Sequence, residues 1–257
     1  MSVFMTCFFI VFSYVSPNEK GITLIWVGFA LTFYLLSDYK LVTSHIDRLA
    51  ERGSFIILIY QYGKKEFVFW MICMSIFGLV QYMLQVVFGS FDAMMYKLGV
   101  VYSNVNNGEW WRLFTGTFFH SSFGHWIVNA TTILIIGPIV CIISRVRGIG
   151  VFLLGNVAGA TAALITANLS GMGDSYVGVS AGIYAMMGWF LCYSKINKTD
   201  VPSKLFYTLL NLIVLSILLT YLMMPKSSNS AHIAGIVTGL LSYFILPTSG
   251  KYVLSQK

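Results

Sequence analysis

Residues 149–169 read IGVFLLGNVAGATAALITANL and contain no charged side chain. A transmembrane α-helix needs about 20 predominantly apolar residues, so this stretch is long enough to cross a bilayer. Comparable apolar runs recur along the chain and are separated by polar segments. This pattern predicts an all-α fold, a polytopic transmembrane helical bundle.

The composition supports that class. The chain has 257 residues, of which 57% are hydrophobic and 10% are charged, and its mean hydropathy is +0.78. A soluble domain carries about 25% charged residues. The long continuous runs also exclude a transmembrane β-barrel, in which short segments alternate between apolar and polar residues. The scattered cysteines have no CxxC spacing and are interpreted as small apolar residues rather than disulfide partners or metal ligands.

Apolar spans are predicted at residues 3–16, 22–37, 67–89, 117–143, 149–169, 178–194, 205–224 and 230–247. The first two are short for a bilayer and form an N-terminal hydrophobic pair. Three regions follow from this pattern: N-terminal apolar segments with a charged linker at 1–66, a six-span core at 67–247, and a short tail at 248–257.

The lysines and arginines predict the orientation of these spans. When the loops are assigned alternately to two sides, four basic residues fall on one side and the other twelve fall on the opposite side. The richer side is expected to be cytoplasmic, so both termini are cytoplasmic and the loop 90–116 faces outside. The net charge of +7 is thus explained by basic loops beside the cytoplasmic leaflet of a lipid bilayer, which is the expected partner, and binding of nucleic acid is not implied. The four residues on the outer side are Lys20, Lys97, Arg112 and Lys226.

Four polar residues fall near the outer ends of three predicted spans: His120, His125, Ser180 and His232. Ionisable groups in membrane spans are costly and mark functional sites. For any one histidine, a polar packing role is an open alternative. The convergence of all four on one side of the membrane favours a shared site.

Ser180 is the candidate nucleophile and His232 is the candidate base, because a serine hydroxyl needs a neighbouring group to accept its proton. Ser180 lies between Gly178 and Gly182, and such small residues let another helix approach closely. Gly235 belongs to a second small-residue stripe, on the His232 face of the last span. Packing of the two stripes against each other would bring the serine and histidine together. The alternative is that both motifs serve only helix packing.

The carboxylates all lie in loops or at the ends of spans, so none is placed to orient His232. The sequence therefore predicts a Ser-His dyad rather than a triad. Tyr184 lies one helical turn from Ser180 on the same face, where its ring would support the imidazole or simply fill the core.

His125 and Asn129 are also one turn apart and are candidate donors to a developing oxyanion, together with the Ser180 backbone N–H. His120 lies just before them and would share a water molecule or a hydrogen bond with the pair. A metal site at the two histidines is disfavoured, since there is no HExxH motif and no carboxylate nearby in the helix.

Taken together, these motifs resemble the rhomboid family of intramembrane serine proteases over about residues 67–247. The motifs are Trp111-Arg112, His120 with His125 and Asn129, Gly178-x-Ser180-x-Gly182 with Tyr184, and Ala231-His232-x-x-Gly235. Two features depart from the pattern. Ala181 follows the serine where many family members have glycine, and residues 1–66 fall outside the match.

The resemblance implies roles for these residues. Ser180 would attack the scissile carbonyl, and His232 would act first as base and then as acid. His125 and Asn129 would contribute to the oxyanion hole with support from His120, and Tyr184 would stack under His232. Trp111 and Arg112 would belong to a structural first loop. No cofactor is implied, and the substrates would be single-span membrane proteins.

Two other functions are consistent with a polar site inside a membrane bundle. In a transporter, the same groups would line a path for protons or solutes. A rhomboid-like protein without activity would hold client helices, although such proteins normally lack the serine or the histidine. The expected location is a bacterial plasma membrane, with the site opening to the outside.

Overall fold

The computed structural model describes residues 46–223 and 228–245, together with Leu36, Tyr39, Lys40 and Thr43. The predicted span at 3–16 and the tail at 248–257 lie outside the described residues, and of the predicted span at 22–37 only Leu36 is described. The helices of the described part are α1 (Ile46–Tyr62), α2 (Lys64–Phe88), α3 (Phe91–Leu98), α4 (Tyr102–Asn106), α5 (Arg112–Thr115), α6 (Phe123–Ser170), α7 (Ser180–Ile196), α8 (Leu205–Met223) and α9 (Asn229–Ile245).

The all-α class is confirmed, with one small addition. Two short strands, β1 (Val100–Val101) and β2 (Ser175–Tyr176), form an antiparallel pair in which Val100 lies opposite Tyr176. The described chain divides into two compact units. The larger unit contains residues 57–201 and 228–245, and it includes every predicted site residue.

The smaller unit contains residues 46–56 and 202–223, and therefore helix α8. Its two segments are joined by the Glu51 carboxylate, which accepts a hydrogen bond from the Ser203 backbone N–H at 2.9 Å.

Two helices of the described part, α2 and α6, are long and apolar enough to cross a membrane. The apolar parts of α8 and α9, Leu205–Tyr221 and Asn229–Ile245, are shorter.

Helix α6 is divided by a sharp kink at Ser144, whose φ of −161° and ψ of 109° are not helical. Trp70 of α2 lies against Gly137, and its ring makes an edge-to-face contact with the ring of Phe152, with 5.0 Å between the ring centroids. Gly137 and Phe152 would be about 22 Å apart in a straight helix. Because both contact the same tryptophan, the two halves of α6 fold back on each other. The sequence predicted a short basic loop between two spans, and the structure makes the reversal at one residue. Gly148 permits it, because a Cβ there would lie 2.7 Å from Cys141 Sγ.

The predicted span at 117–143 begins later than expected, at Phe123. Residues Gly116–Phe118 form a 3-10 turn, and Ser122 then caps α6 by accepting the His125 backbone N–H on its Oγ at 3.1 Å. A serine in this position satisfies a backbone donor that the helix itself leaves unpaired. The cap fixes the start of the helix and leaves His120 in the preceding turn.

The segment 90–116, predicted as a long loop, is folded into α3, β1, α4 and α5. Arg112 is buried inside this segment, and only 4% of the surface of Arg112 is exposed. Its guanidinium donates to the backbone carbonyls of Tyr96 and Gly99 and pairs with Glu109 at 2.7 Å. Strand β1 then joins this segment to β2, which lies just before Ser180. The segment is therefore tied to the chain that carries the predicted nucleophile.

Helix α7 packs between α6 and α9 in the larger unit. Gly235 and Gly239 of α9 lie directly against the backbone carbonyls of Ala181 and Ala185. Gly182, in contrast, faces α6, where a Cβ would lie 2.5 Å from the Phe152 carbonyl oxygen. The expectation that the two glycine stripes face each other was therefore wrong. Helix α7 presents the Ala181 and Ala185 carbonyls to α9, whereas the methyl groups of these alanines face α6, as Gly182 does.

Substitution of Gly235 by alanine is expected to destabilise the larger unit by about 1–3 kcal/mol, because the added methyl group would overlap the Ala181 carbonyl. The measurement is the unfolding temperature in detergent. Gly150→Ala is the matched control, since Gly150 is helical and none of the described residues lies within 4 Å of a Cβ there. Equal unfolding temperatures for the two variants would contradict the close packing of α7 and α9.

Candidate active site

Ser180 and His232 meet at the start of two adjacent helices. Ser180 is the first residue of α7, and His232 lies in the first turn of α9. Ser180 Oγ and His232 Nε2 are 2.9 Å apart, which is hydrogen-bond distance. The serine is half-buried and the histidine is 4% exposed. The pair therefore lies within the bundle, with the hydroxyl directed at a ring nitrogen.

The other side of the His232 ring is held by packing. The rings of Tyr184 and His232 are 4.5 Å apart between centroids, with an angle of 35° between their planes. His232 Nδ1 has no hydrogen-bond partner among the described residues, so no carboxylate there orients the imidazole. Tyr184 lies one turn after Ser180, and its ring limits how far the imidazole can tilt.

His125 and Asn129 converge on the chain just before Ser180. A Cβ at Gly178 would lie 2.8 Å from His125 Nε2 and 3.5 Å from Asn129 Nδ2. His125 Nδ1 is 3.1 Å from Ser121 Oγ. Asn129 Nδ2 is buried and has no partner among the described residues. Two polar side chains thus face the backbone at position 178, beside the Ser180 hydroxyl.

His120 contacts His125 through its ring rather than by a hydrogen bond. The two ring centroids are 5.2 Å apart at 71°, an edge-to-face arrangement. Both ring nitrogens of His120 lack a hydrogen-bond partner within the described part of the chain. Burial, reinforced by the nearby His125, lowers the pKa of His120.

The main chain of His120 is held by Gln81 of α2. The Gln81 amide accepts the His120 N–H at 2.8 Å and donates to the His120 carbonyl at 2.7 Å. This two-point contact fixes the turn that carries His120 and Ser121. Trp111, in contrast, is 61% exposed and contributes to the folded segment before the turn rather than to the site.

Comparison with known proteins gives the same assignment as the motifs. The family model of the Rhomboid domain matches residues 107–249, more than half of the chain. The chain belongs to the rhomboid family. With its apolar helices, this rhomboid is an integral membrane protein.

Two curated relatives show how far the similarity extends. The rhomboid protease GlpG of Haemophilus influenzae is 29% identical over 188 residues, which are 72% of this chain and 92% of that protein. The mitochondrial RHOMBOID-like protein 6 of Arabidopsis thaliana is 30% identical over 149 residues, which are 57% of this chain and 48% of that protein.

Three residues near the site of this rhomboid were missed by the sequence analysis: Gln81, Ser121 and Asn156. Gln81 and Asn156 are amides inside predicted spans, and polar side chains at such positions are a signal that deserved a prediction. Ser121 gave no such signal, because a serine beside a helix cap is common. Its contact with His125 depends on where α6 begins.

Gly178 is expected to be intolerant of a side chain for two reasons. Its φ of +105° is rarely adopted by other residues, and a Cβ would overlap the His125 ring. Gly178→Ala should therefore displace His125 and lower cleavage of a model substrate by about 10- to 100-fold. Gly173→Ala is the matched control, because its φ is +88° but a Cβ there meets nothing closer than 3.8 Å. Equal activity of the two variants would show that the His125 contact is unimportant.

Proposed function

We propose that this rhomboid is an intramembrane serine endopeptidase that hydrolyses peptide bonds in or near transmembrane segments of membrane proteins. The 2.9 Å separation between Ser180 Oγ and His232 Nε2 carries this proposal. A serine hydroxyl is nucleophilic only when a base removes its proton, and the neutral imidazole is the group best suited to do so near pH 7.

The reaction proceeds in two halves. His232 Nε2 takes the Ser180 hydroxyl proton while Oγ bonds to the scissile carbonyl carbon. The resulting imidazolium then gives that proton to the departing amine, and the C–N bond breaks. In the second half, His232 Nε2 takes a proton from water while the water oxygen bonds to the acyl carbon. The bond between that carbon and Ser180 Oγ then breaks, His232 returns the proton to Oγ, and the acyl group leaves as a carboxylic acid.

The negative charge of each tetrahedral intermediate falls on the former carbonyl oxygen. The candidate donors are the His125 ring, the Asn129 amide and the Ser180 backbone N–H. The approach of His125 and Asn129 to position 178 supports this role. Donors already in place, in a site that excludes bulk water, stabilise a developing charge more than water does. His120 supports His125 through their ring contact.

The histidine works without a carboxylate partner in this proposal. His232 Nδ1 retains its proton, so that Nε2 stays free to accept the serine proton. The packed ring of Tyr184 replaces the orienting role that an aspartate has in a triad. The dyad is supported by the absence of any hydrogen-bond partner of Nδ1 within the described residues.

The substrates proposed are single-span membrane proteins, and the core is proposed to have six spans at 67–247. The kink at Ser144 supports that number, since it divides α6 into two segments. The other four spans are α2, α7, α8 and α9.

The basic residues favour cytoplasmic termini and a site opening to the outside of a bacterial plasma membrane.

The function is tested by co-reconstituting the purified protein in liposomes with a single-span substrate that carries a different tag at each end. Two complementary fragments, cut near the outer end of the span, are expected. Intact substrate together with solute or proton flux would identify a transporter instead. Intact substrate that remains bound to the protein, without flux, would identify an inactive client-binding protein.

A further inference from the structure

Asn156 is a buried amide on the second half of α6, with 1% of its surface exposed. Its Oδ1 accepts a hydrogen bond from the Gly182 backbone N–H at 2.9 Å. Gly182 lies two residues after Ser180, in the first turn of α7. A side chain on one helix therefore bonds directly to the turn that carries the proposed nucleophile.

The start of α7 needs such an acceptor. The first backbone N–H groups of a helix have no partner within it, and a polar side chain at the residue before the helix usually provides one. That residue is Val179 here, and it makes no side-chain cap. Asn156 supplies the missing acceptor from a neighbouring helix, at the third residue of α7.

The contact is close because Gly182 has no side chain. A Cβ at position 182 would lie 2.6 Å from Asn156 Nδ2 and 2.5 Å from the Phe152 carbonyl oxygen. On its other side, the same turn of α7 lies against Gly235 of α9, through the Ala181 carbonyl. The first turn of α7 is thus held between α6, which carries Asn156, and α9, which carries His232.

The amide is retained at a cost. Asn156 Nδ2 is buried without a hydrogen-bond partner among the described residues. An unpaired buried donor lowers the stability of the folded state, and an apolar side chain of similar volume would avoid that cost. The Oδ1 bond to Gly182 is the interaction that an apolar residue would lose.

We infer that Asn156 is a positioning residue for the Ser180 nucleophile. Its bond to Gly182 sets the orientation of the first turn of α7, and therefore the direction of Ser180 Oγ toward His232 and of the Ser180 N–H toward the oxyanion. This inference rests on the proposed proteolytic function. It predicts that Asn156 affects the rate of the chemical step and not the binding of substrate.

The test compares Asn156→Leu, which removes the acceptor at similar volume, with Asn156→Asp, which keeps it. Thr161→Val on the same helix is the matched control, since among the described residues its hydroxyl bonds only within α6, to the Val157 carbonyl. We expect kcat to fall about 10- to 100-fold in Asn156→Leu with KM nearly unchanged, because small displacements of reacting groups have effects of this size. Asn156→Asp should recover most of the rate.

Two further measurements separate positioning from stability. Labelling of Ser180 by a fluorophosphonate should slow in Asn156→Leu by a factor similar to the loss in kcat. Hydrogen–deuterium exchange at the Gly182 amide should speed up, while the unfolding temperature stays close to that of Thr161→Val. If the leucine variant does not fold, Asn156→Ala removes the same acceptor and gives the same comparison.

Equal kcat values in Asn156→Leu and Thr161→Val would overturn the inference alone, provided that the wild-type protein cleaves substrate. A loss of activity that merely follows the loss of folded protein would also overturn it. If the wild-type protein neither cleaves nor labels, the proposed function is wrong and the positioning role is wrong with it. Faster exchange at Gly182 in Asn156→Leu would then still identify the contact as structural.

Discussion

Replacement of Ser180 by alanine is expected to reduce cleavage of the reconstituted single-span substrate by about 10⁴-fold or more, to the level of the uncatalysed background. In the proposed mechanism the variant loses the atom that forms the acyl-enzyme bond, and removal of a serine nucleophile has effects of this order in serine proteases. The measurement is the initial rate of fragment release. Substrate binding, measured by co-purification, should be retained because Ser180 contributes little contact area.

The matched control is Ser194→Ala. Ser194 lies on the same helix and is buried, but within the described part of the chain its hydroxyl bonds only to the Leu191 carbonyl of α7. Its variant should keep nearly full activity. If Ser180→Ala cleaved as fast as Ser194→Ala, Ser180 would not be the nucleophile.

Replacement of His232 by glutamine is expected to lower the cleavage rate by at least about 10³-fold, since the amide cannot accept and return the serine proton. Glutamine retains a polar group of similar length, so the packing against Tyr184 and the fold should survive. Ser242→Ala, a buried polar position on the same helix, is the control and should remain active.

The double variant gives a sharper result than either single one. Residues that act as a unit in one step show strongly non-additive losses. Ser180→Ala combined with His232→Gln should therefore be no slower than Ser180→Ala alone. A further large loss in the double variant would mean that the two residues act in separate steps.

The helical class and the residues of the candidate site were predictable from the sequence because both depend on local patterns. Hydrophobic run length identifies helices in a membrane protein. The spacing of four between Ser180 and Tyr184, and between His125 and Asn129, places each pair on one helix face regardless of the rest of the fold. The polar residues stood out because the surrounding spans are apolar.

The partners across helices were not predictable in the same way. A repeat within one helix defines a face but not the neighbour that the face meets, so the contact of Gly182 with α6 rather than α9 was missed. The reversal between the predicted spans at 117–143 and 149–169 was expected, but its confinement to Ser144 was not, because one residue with non-helical backbone angles has no sequence pattern of its own. The bond between Gln81 and His120 spans 39 residues and depends on the packing of α2 against α6.

The segment 90–116 shows a third kind of limit. Its aromatic and polar residues were interpreted as a loop, since no helix there is long enough to show a clear period. Its order depends on Arg112, whose guanidinium satisfies two backbone carbonyls and one carboxylate. A single buried charge can organise such a segment through its hydrogen bonds, which hydrophobic periodicity does not report.

Fluorophosphonate labelling followed by peptide mapping tests the pairing of Ser180 and His232 most directly, because it needs no knowledge of the natural substrate. An adduct on Ser180 in the wild-type protein, absent from folded His232→Gln, is the predicted result. An adduct on Ser180 that forms equally well in His232→Gln, or an adduct confined to another serine, would contradict activation of the hydroxyl by that imidazole.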